Sequence, residues 1–109
     1  LMNFETVDLF DKQFKKLSKK YNLIKDDLLN FIDNFEDYHK HSITIKNNLH
    51  KIRIANSNKN KGKSAGYRVY YYVKIGDSIH LLSIYDKSEI EMINEKTLNQ
   101  YINDIEDTL

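Results

Sequence analysis

Apolar positions along the chain follow two different periods. Phe10, Phe14, Leu17 and Tyr21 recur at helical spacing with lysines on the other face, and after Asn22 the residues Leu28, Phe31, Ile32 and Phe35 repeat the pattern. Two such stretches with a short joint predict an α-hairpin whose aromatic stripes must be buried against another layer. Ahead of them, residues 4–9 are short and alternating, which predicts an edge strand. Beyond them the period changes to two. Residues 50–55 alternate strictly, so Ile52 and Ile54 face one side and Lys51 and Arg53 the other. Residues 67–74 form a β-branched and aromatic run, and residues 79–85 form another after the turn residues Gly76 and Asp77. Residues 56–66 are polar, include Gly62 and Gly66, and predict a flexible hairpin loop. Leu98, Tyr101, Ile102 and Ile105 return to helical spacing and predict a C-terminal helix. Its start lies either at the capping-box pair Ser88 and Glu91 or at Asn94.

These elements define an α+β chain. With 109 residues, no proline, no repeat and no low-complexity linker, residues 1–109 are expected to form a single domain around one core. The helices must cover one face of the sheet. In the strand at 67–74 the alternating sets are Tyr67, Val69, Tyr71, Val73 and Arg68, Tyr70, Tyr72, Lys74. Burying unpaired Arg68 and Lys74 would be costly, which assigns the first set to the core. The second set then shares an open face with Lys51 and Arg53, where cations alternate with tyrosine rings.

Charge sharpens this picture. The formal net charge is only +1, yet residues 38–76 carry Lys40, Lys46, Lys51, Arg53, Lys59, Lys61, Lys63, Arg68 and Lys74 with no Asp or Glu, and all 16 acids lie outside. Such segregation makes a local positive field that attracts polyanions despite a near-neutral total. Cations that neutralise phosphates, beside rings that stack on unpaired bases, suit RNA. The absence of cysteine excludes disulfides and thiolate metal sites. No apolar run reaches the roughly 18–20 residues that span a bilayer. With no signal-peptide core at the N-terminus, the chain is expected to be cytoplasmic and without membrane partners. Leu1 ahead of Met2 reads as an addition, with the natural chain expected to begin at Met2.

Conventional active-site patterns are missing from the sequence. His39, His41, His50 and His80 lack metal-ligand spacing, and the Gly62-Lys63-Ser64 triplet has Ser57 where a phosphate-binding loop needs its first glycine. What fits is metal-free and cofactor-free cleavage of RNA, in which the ribose 2′-hydroxyl attacks its own phosphate. The protein must align that hydroxyl, stabilise the phosphorane charge and move two protons. Arginine supplies the electrostatic part, because it stays charged and binds phosphate oxygens bidentately. A lysine serves as base only if neighbouring cations lower its pKa, and Lys51, Arg53, Arg68 and Lys87 offer that crowding.

The segment KIRIANSNKNKGKSAGYRVYYYV, followed by IHLLSIYDKSE, resembles the RelE/ParE superfamily of bacterial toxins and within it the HigB-like branch. The specific parts are GKS-x-G-x-R-V-x-Y and the YDK that ends the last strand. The resemblance implies a RelE-like fold: an N-terminal strand, an α-hairpin, an antiparallel sheet packed on the helices and a C-terminal helix. It also implies the toxin of a type II toxin–antitoxin system, a ribosome-dependent endoribonuclease that cuts mRNA and arrests growth. Its implied partners are the ribosome, mRNA and a helix-turn-helix antitoxin of the HigA/Xre type, with operator DNA reached only through the antitoxin. By position, Arg68 matches the arginine at the scissile phosphate, Lys51 and Arg53 the basic pair on the preceding strand, and Lys87 the basic residue beyond the last strand. Lys59, Lys61 and Lys63 would grip RNA, and Tyr70 and Tyr72 would stack on it. The chain departs from RelE in having Ser88 where an arginine follows the lysine, and Ile93 or Asn94 near the place of a tyrosine. Tyr85 is the candidate to replace that tyrosine, and the proton-transfer assignment stays open. A ParE-like gyrase inhibitor and a non-catalytic RNA- or protein-binding homologue are the alternatives.

Overall fold

The computed structural model describes residues 3–60, 62, 65–76, 78–89 and 93–107. In chain order its elements are β1 (Asn3–Thr6), α1 (Asp8–Ser18), α2 (Ile24–Asp33), α3 (Phe35–Lys40), β2 (Ile43–Lys46), β3 (Leu49–Ile54), β4 (Tyr67–Lys74), β5 (Ser78–Asp86) and α4 (Glu95–Asp107). The strands form one open sheet in the order β1-β5-β4-β3-β2. β1 runs parallel to β5, and the other pairings are antiparallel. This α+β arrangement is compatible with the RelE-like fold. Among the described residues, no helix is long and apolar enough to cross a membrane.

The apolar stripes of the helical hairpin meet the sheet where alternation requires. Phe10, Leu17, Ile24 and Phe31 pack with Ile52, Ile54, Tyr67, Val69 and Tyr71, as the face assignment expects. The expected strand at 4–9 is shorter, because α1 begins at Asp8 and takes Leu9. Val7 marks the change: its N–H donates to Leu81 O, and its own carbonyl accepts the N–H of Asp11 to open the helix. The second predicted helix is broken at Asn34, whose Nδ2 donates to the Asn30 carbonyl at 2.9 Å, so Phe35 starts α3. β2 was not expected. Its four residues are all exposed, and it turns into β3 through Asn47 at φ 44°, a left-handed conformation that asparagine tolerates.

Two further differences bear on function. The sheet face opposite the hairpin is not fully open, since α4 packs on it: Leu98 and Ile105 join Leu49, Tyr72 and Leu82 in a second apolar cluster. The helix starts from the Asn94 end, with Asn94 Oδ1 accepting the Lys96 N–H at 2.9 Å. The second difference is a bulge in β5. Tyr70 pairs with Ser83 but Tyr71 with Leu81, leaving Leu82 as the extra residue. Ile79 and Leu81 therefore share the helix-side core with Ile84 rather than with Ser83.

Candidate nucleic-acid interface

The cationic residues are placed by strand register. Arg53 on β3 and Arg68 on β4 are direct cross-strand partners, and Tyr85 on β5 is the next residue in the same row. Lys51 and Tyr70 form the adjacent row. Side chains opposite one another on one face lie about 5 Å apart at Cβ, so the two guanidinium stems run side by side. Tyr85 reaches this face only because of the bulge. Under unbroken alternation it would share the side of Ile79 and Leu81. Its ring stacks on that of Tyr70, with centroids 6.4 Å apart and 27° between planes. Lys51 Nζ lies 5.4 Å from the centroid of the Tyr70 ring.

Arg68, expected on an open face, is instead buried at 5% exposure on the face that α4 also covers in part, and its Nη1 donates to the Tyr67 carbonyl at 3.4 Å. Burial, and then the neighbouring Arg53, pull its pKa below the ordinary guanidinium value. Two like charges directly opposite across a ladder are destabilising, and a bound anion relieves that repulsion. Arg53 itself is exposed, and among the described residues no carboxylate forms an ion pair with it. Lys87 is exposed in the turn after β5, where its N–H donates to Gly66 O at 3.1 Å and sets the turn beside the entry to β4.

Not every expected contact residue belongs here. Tyr72 is only 8% exposed, because α4 covers it; burial and then Glu106 of that helix push its phenol pKa up. A ring enclosed in this way does not offer its face to a base. Lys74 Nζ donates to the carbonyl of Ile105 at 3.1 Å, which also ties it to α4. Lys59 points inward instead of toward solvent and donates to the buried carboxylate of Asp86 at 2.7 Å. Lys61 and Lys63 lie outside the described residues.

The loop stem is also less free than its polar composition suggests. Asn58 bonds both Asn22 Oδ1, at 2.8 Å, and the Leu23 N–H, at 3.0 Å. Ser57 bonds Asp27 through its backbone, at 2.9 Å, and through its hydroxyl. Ser57 and Asn58 thus fasten the stem of the loop to the α1–α2 joint and the start of α2.

Asp86 is the residue that sequence reasoning passed over. Unbroken alternation would put it on the face opposite Ile79 and Leu81, and only the bulge in β5 turns it, with Ile84, into the core, where its carboxylate demands a buried cation. In all, the chain is an α+β protein that gathers Lys51, Arg53, Arg68, Tyr70 and Tyr85 on one half of a sheet face, with Lys87 in the turn at its edge. No protein-family model and no curated protein matches it.

Proposed function

We propose that this protein is the toxin of a type II toxin–antitoxin system, a ribosome-dependent mRNA endoribonuclease that works without a metal. The observation that supports this most directly is the cross-strand pair Arg53 and Arg68, flanked by the stacked rings of Tyr70 and Tyr85. A phosphodiester between the two guanidinium groups would have its charge met from both sides, with an unstacked base resting on the tyrosines. The ribose 2′-oxygen then attacks phosphorus and the 5′-oxygen leaves, giving a 2′,3′-cyclic phosphate and a free 5′-hydroxyl. One protein group takes the 2′-hydroxyl proton and another returns a proton to the leaving oxygen. Lys51, Lys87 and Tyr85 are the candidates for those two transfers. Because the nucleophile belongs to the RNA, the protein's main contribution is alignment and electrostatic stabilisation of the phosphorane. The proposed partners are the ribosome, mRNA and a helix-turn-helix antitoxin that restrains the toxin.

Expression without the antitoxin should arrest growth by stopping translation. Primer extension on messages from arrested cells should show cuts within translated regions. Intact messages with stalled replication would overturn cleavage and favour inhibition of gyrase. Arg68→Ala should abolish toxicity while leaving antitoxin binding in place. Loss of one phosphate-contacting donor in a pre-organised site costs about 2–4 kcal/mol of transition-state stabilisation.

A further inference from the structure

The proposed cleavage leaves one buried charge without a task. Asp86 ends β5 on the helix side and is 0% exposed. Tyr21 Oη donates to its Oδ2 at 2.5 Å, while Lys59 Nζ, at 2.7 Å, and the Ser88 N–H, at 3.1 Å, donate to its Oδ1. Three segments distant in sequence meet there: the α1–α2 joint, the stem of the β3–β4 loop and the turn after β5. Lys59 Nζ also donates to Ala65 O at 3.3 Å, which draws the two legs of the loop together.

The same residue shapes the turn that carries Lys87. The Ser88 N–H on the Asp86 carboxylate makes an Asx turn. The Glu89 N–H on the Asp86 carbonyl, at 2.9 Å, closes a β-turn with Lys87 and Ser88 at its centre. Lys87 N–H in turn meets Gly66 O at 3.1 Å. Gly66 packs closely on the end of β3, since a Cβ there would stand 2.0 Å from the carbonyl of Ile54. Two residues beyond Gly66 is Arg68, and Ile54 follows Arg53. Asp86 is thus linked, through the Lys87 N–H and Gly66, to the strands that carry both arginines.

Stability alone gives a weak reason for this device. Replacing a buried ion pair by packed apolar residues is often neutral or better, whereas directional bonds to three segments fix a geometry. We propose that Asp86, Lys59 and Tyr21 form a positioning unit that holds the Lys87 turn and the loop stem in register with Arg53 and Arg68. The proposal rests on the cleavage function given above. None of the three touches RNA; they act through Lys87 and the arginine row.

The test compares wild type with Lys59→Met, Lys59→Arg and Asp86→Asn on ribosomes programmed with a defined message. Amide hydrogen exchange is followed on the same purified proteins. In Lys59→Met, kcat should fall about tenfold or more with KM changed less than about threefold, and Lys59→Arg should recover most of the loss. The amides of Lys87 and Ser88 should be accelerated in Lys59→Met about tenfold more than those of Val69 and Ile84, which report the change in global stability. Asp86→Asn should reproduce both effects, and it decides the matter if Lys59→Met does not fold. A raised KM with unchanged kcat would put Lys59 on the RNA and overturn the positioning role, as would unchanged exchange at Lys87 and Ser88. If wild type cuts no message, the cleavage function falls, and the exchange measurement alone then decides whether the unit holds the turn.

Discussion

Two buried tyrosines show how much a single hydroxyl depends on its surroundings. Tyr67 is 0% exposed, and its hydroxyl has no hydrogen-bond partner among the described residues. Burial, with Asp27, Tyr21 and Asp86 adding to it, pushes its pKa far up. Tyr21, packed edge-on against it with ring centroids 5.9 Å apart, donates to Asp86. Deleting the same atom should therefore have opposite signs. Tyr67→Phe removes an unpaired polar group and should stabilise the protein by about 1 kcal/mol. Tyr21→Phe removes a bond to a charge and should cost about 2 kcal/mol, both read from urea unfolding midpoints. Asp86 adds a pH signature. Burial alone would raise its pKa, but the bonds from Lys59, Tyr21 and the Ser88 N–H outweigh it and hold the carboxyl below its usual value. Its contribution to stability is then complete above the ordinary carboxylate range, near pH 4, and is lost as pH falls through the lowered folded value. Melting temperature measured down a pH series should drop in acid, and Asp86→Asn should flatten part of that drop.

At the scale of elements, α4 defines the limits of the cationic face. Leu98 is buried where the helix crosses Tyr72 and Leu82, so Leu98→Ala should cost about 3 kcal/mol in chemical denaturation. The exposed pair Lys46 and Glu95, 3.6 Å apart, adds little to that docking. The sequence revealed the helix but not its seat, since an apolar stripe says that a surface must be covered without saying which one. β4 was legible in full, because propensity, alternation and charge all agreed on the same eight residues. β2 was not, although Ile43 and Ile45 do alternate; both are exposed, and a short solvated edge strand carries little burial signal. The row of Arg53, Arg68 and Tyr85 was only partly readable. Parity gave the two arginines, whereas the third place depends on a bulge that no local pattern announced. Lys59 misled for a related reason, since a lysine in a polar loop looks the same whether it faces solvent or a buried carboxylate.

For the molecule as a whole, charge is arranged by face rather than by amount. If Lys51, Arg53, Arg68 and Lys87 each neutralise one phosphate of a single strand, log K for RNA should fall with log salt at a slope of about −3. Fluorescence anisotropy with a labelled single-stranded RNA, titrated at several salt concentrations, measures that slope. Arg53→Gln should make it shallower by about 0.7. A slope near zero, or one unchanged by Arg53→Gln, would remove that face from RNA binding.

The parallel pairing of β1 with β5 also sets an order of events in time. Asn3 lies against Ser78, so the first strand has no neighbour until most of the chain exists. α1 packs chiefly along β5 and is equally dependent on it. At about 5–20 residues per second, synthesis leaves the helical hairpin waiting several seconds for the surface it must cover. Closure over so long a separation belongs to the slow end of folding for a domain of this size. The row that runs through Arg53, Arg68 and Tyr85 is complete only once β5 has been made. In the proposed role, a ribosome producing this protein is spared by it until that work is nearly done.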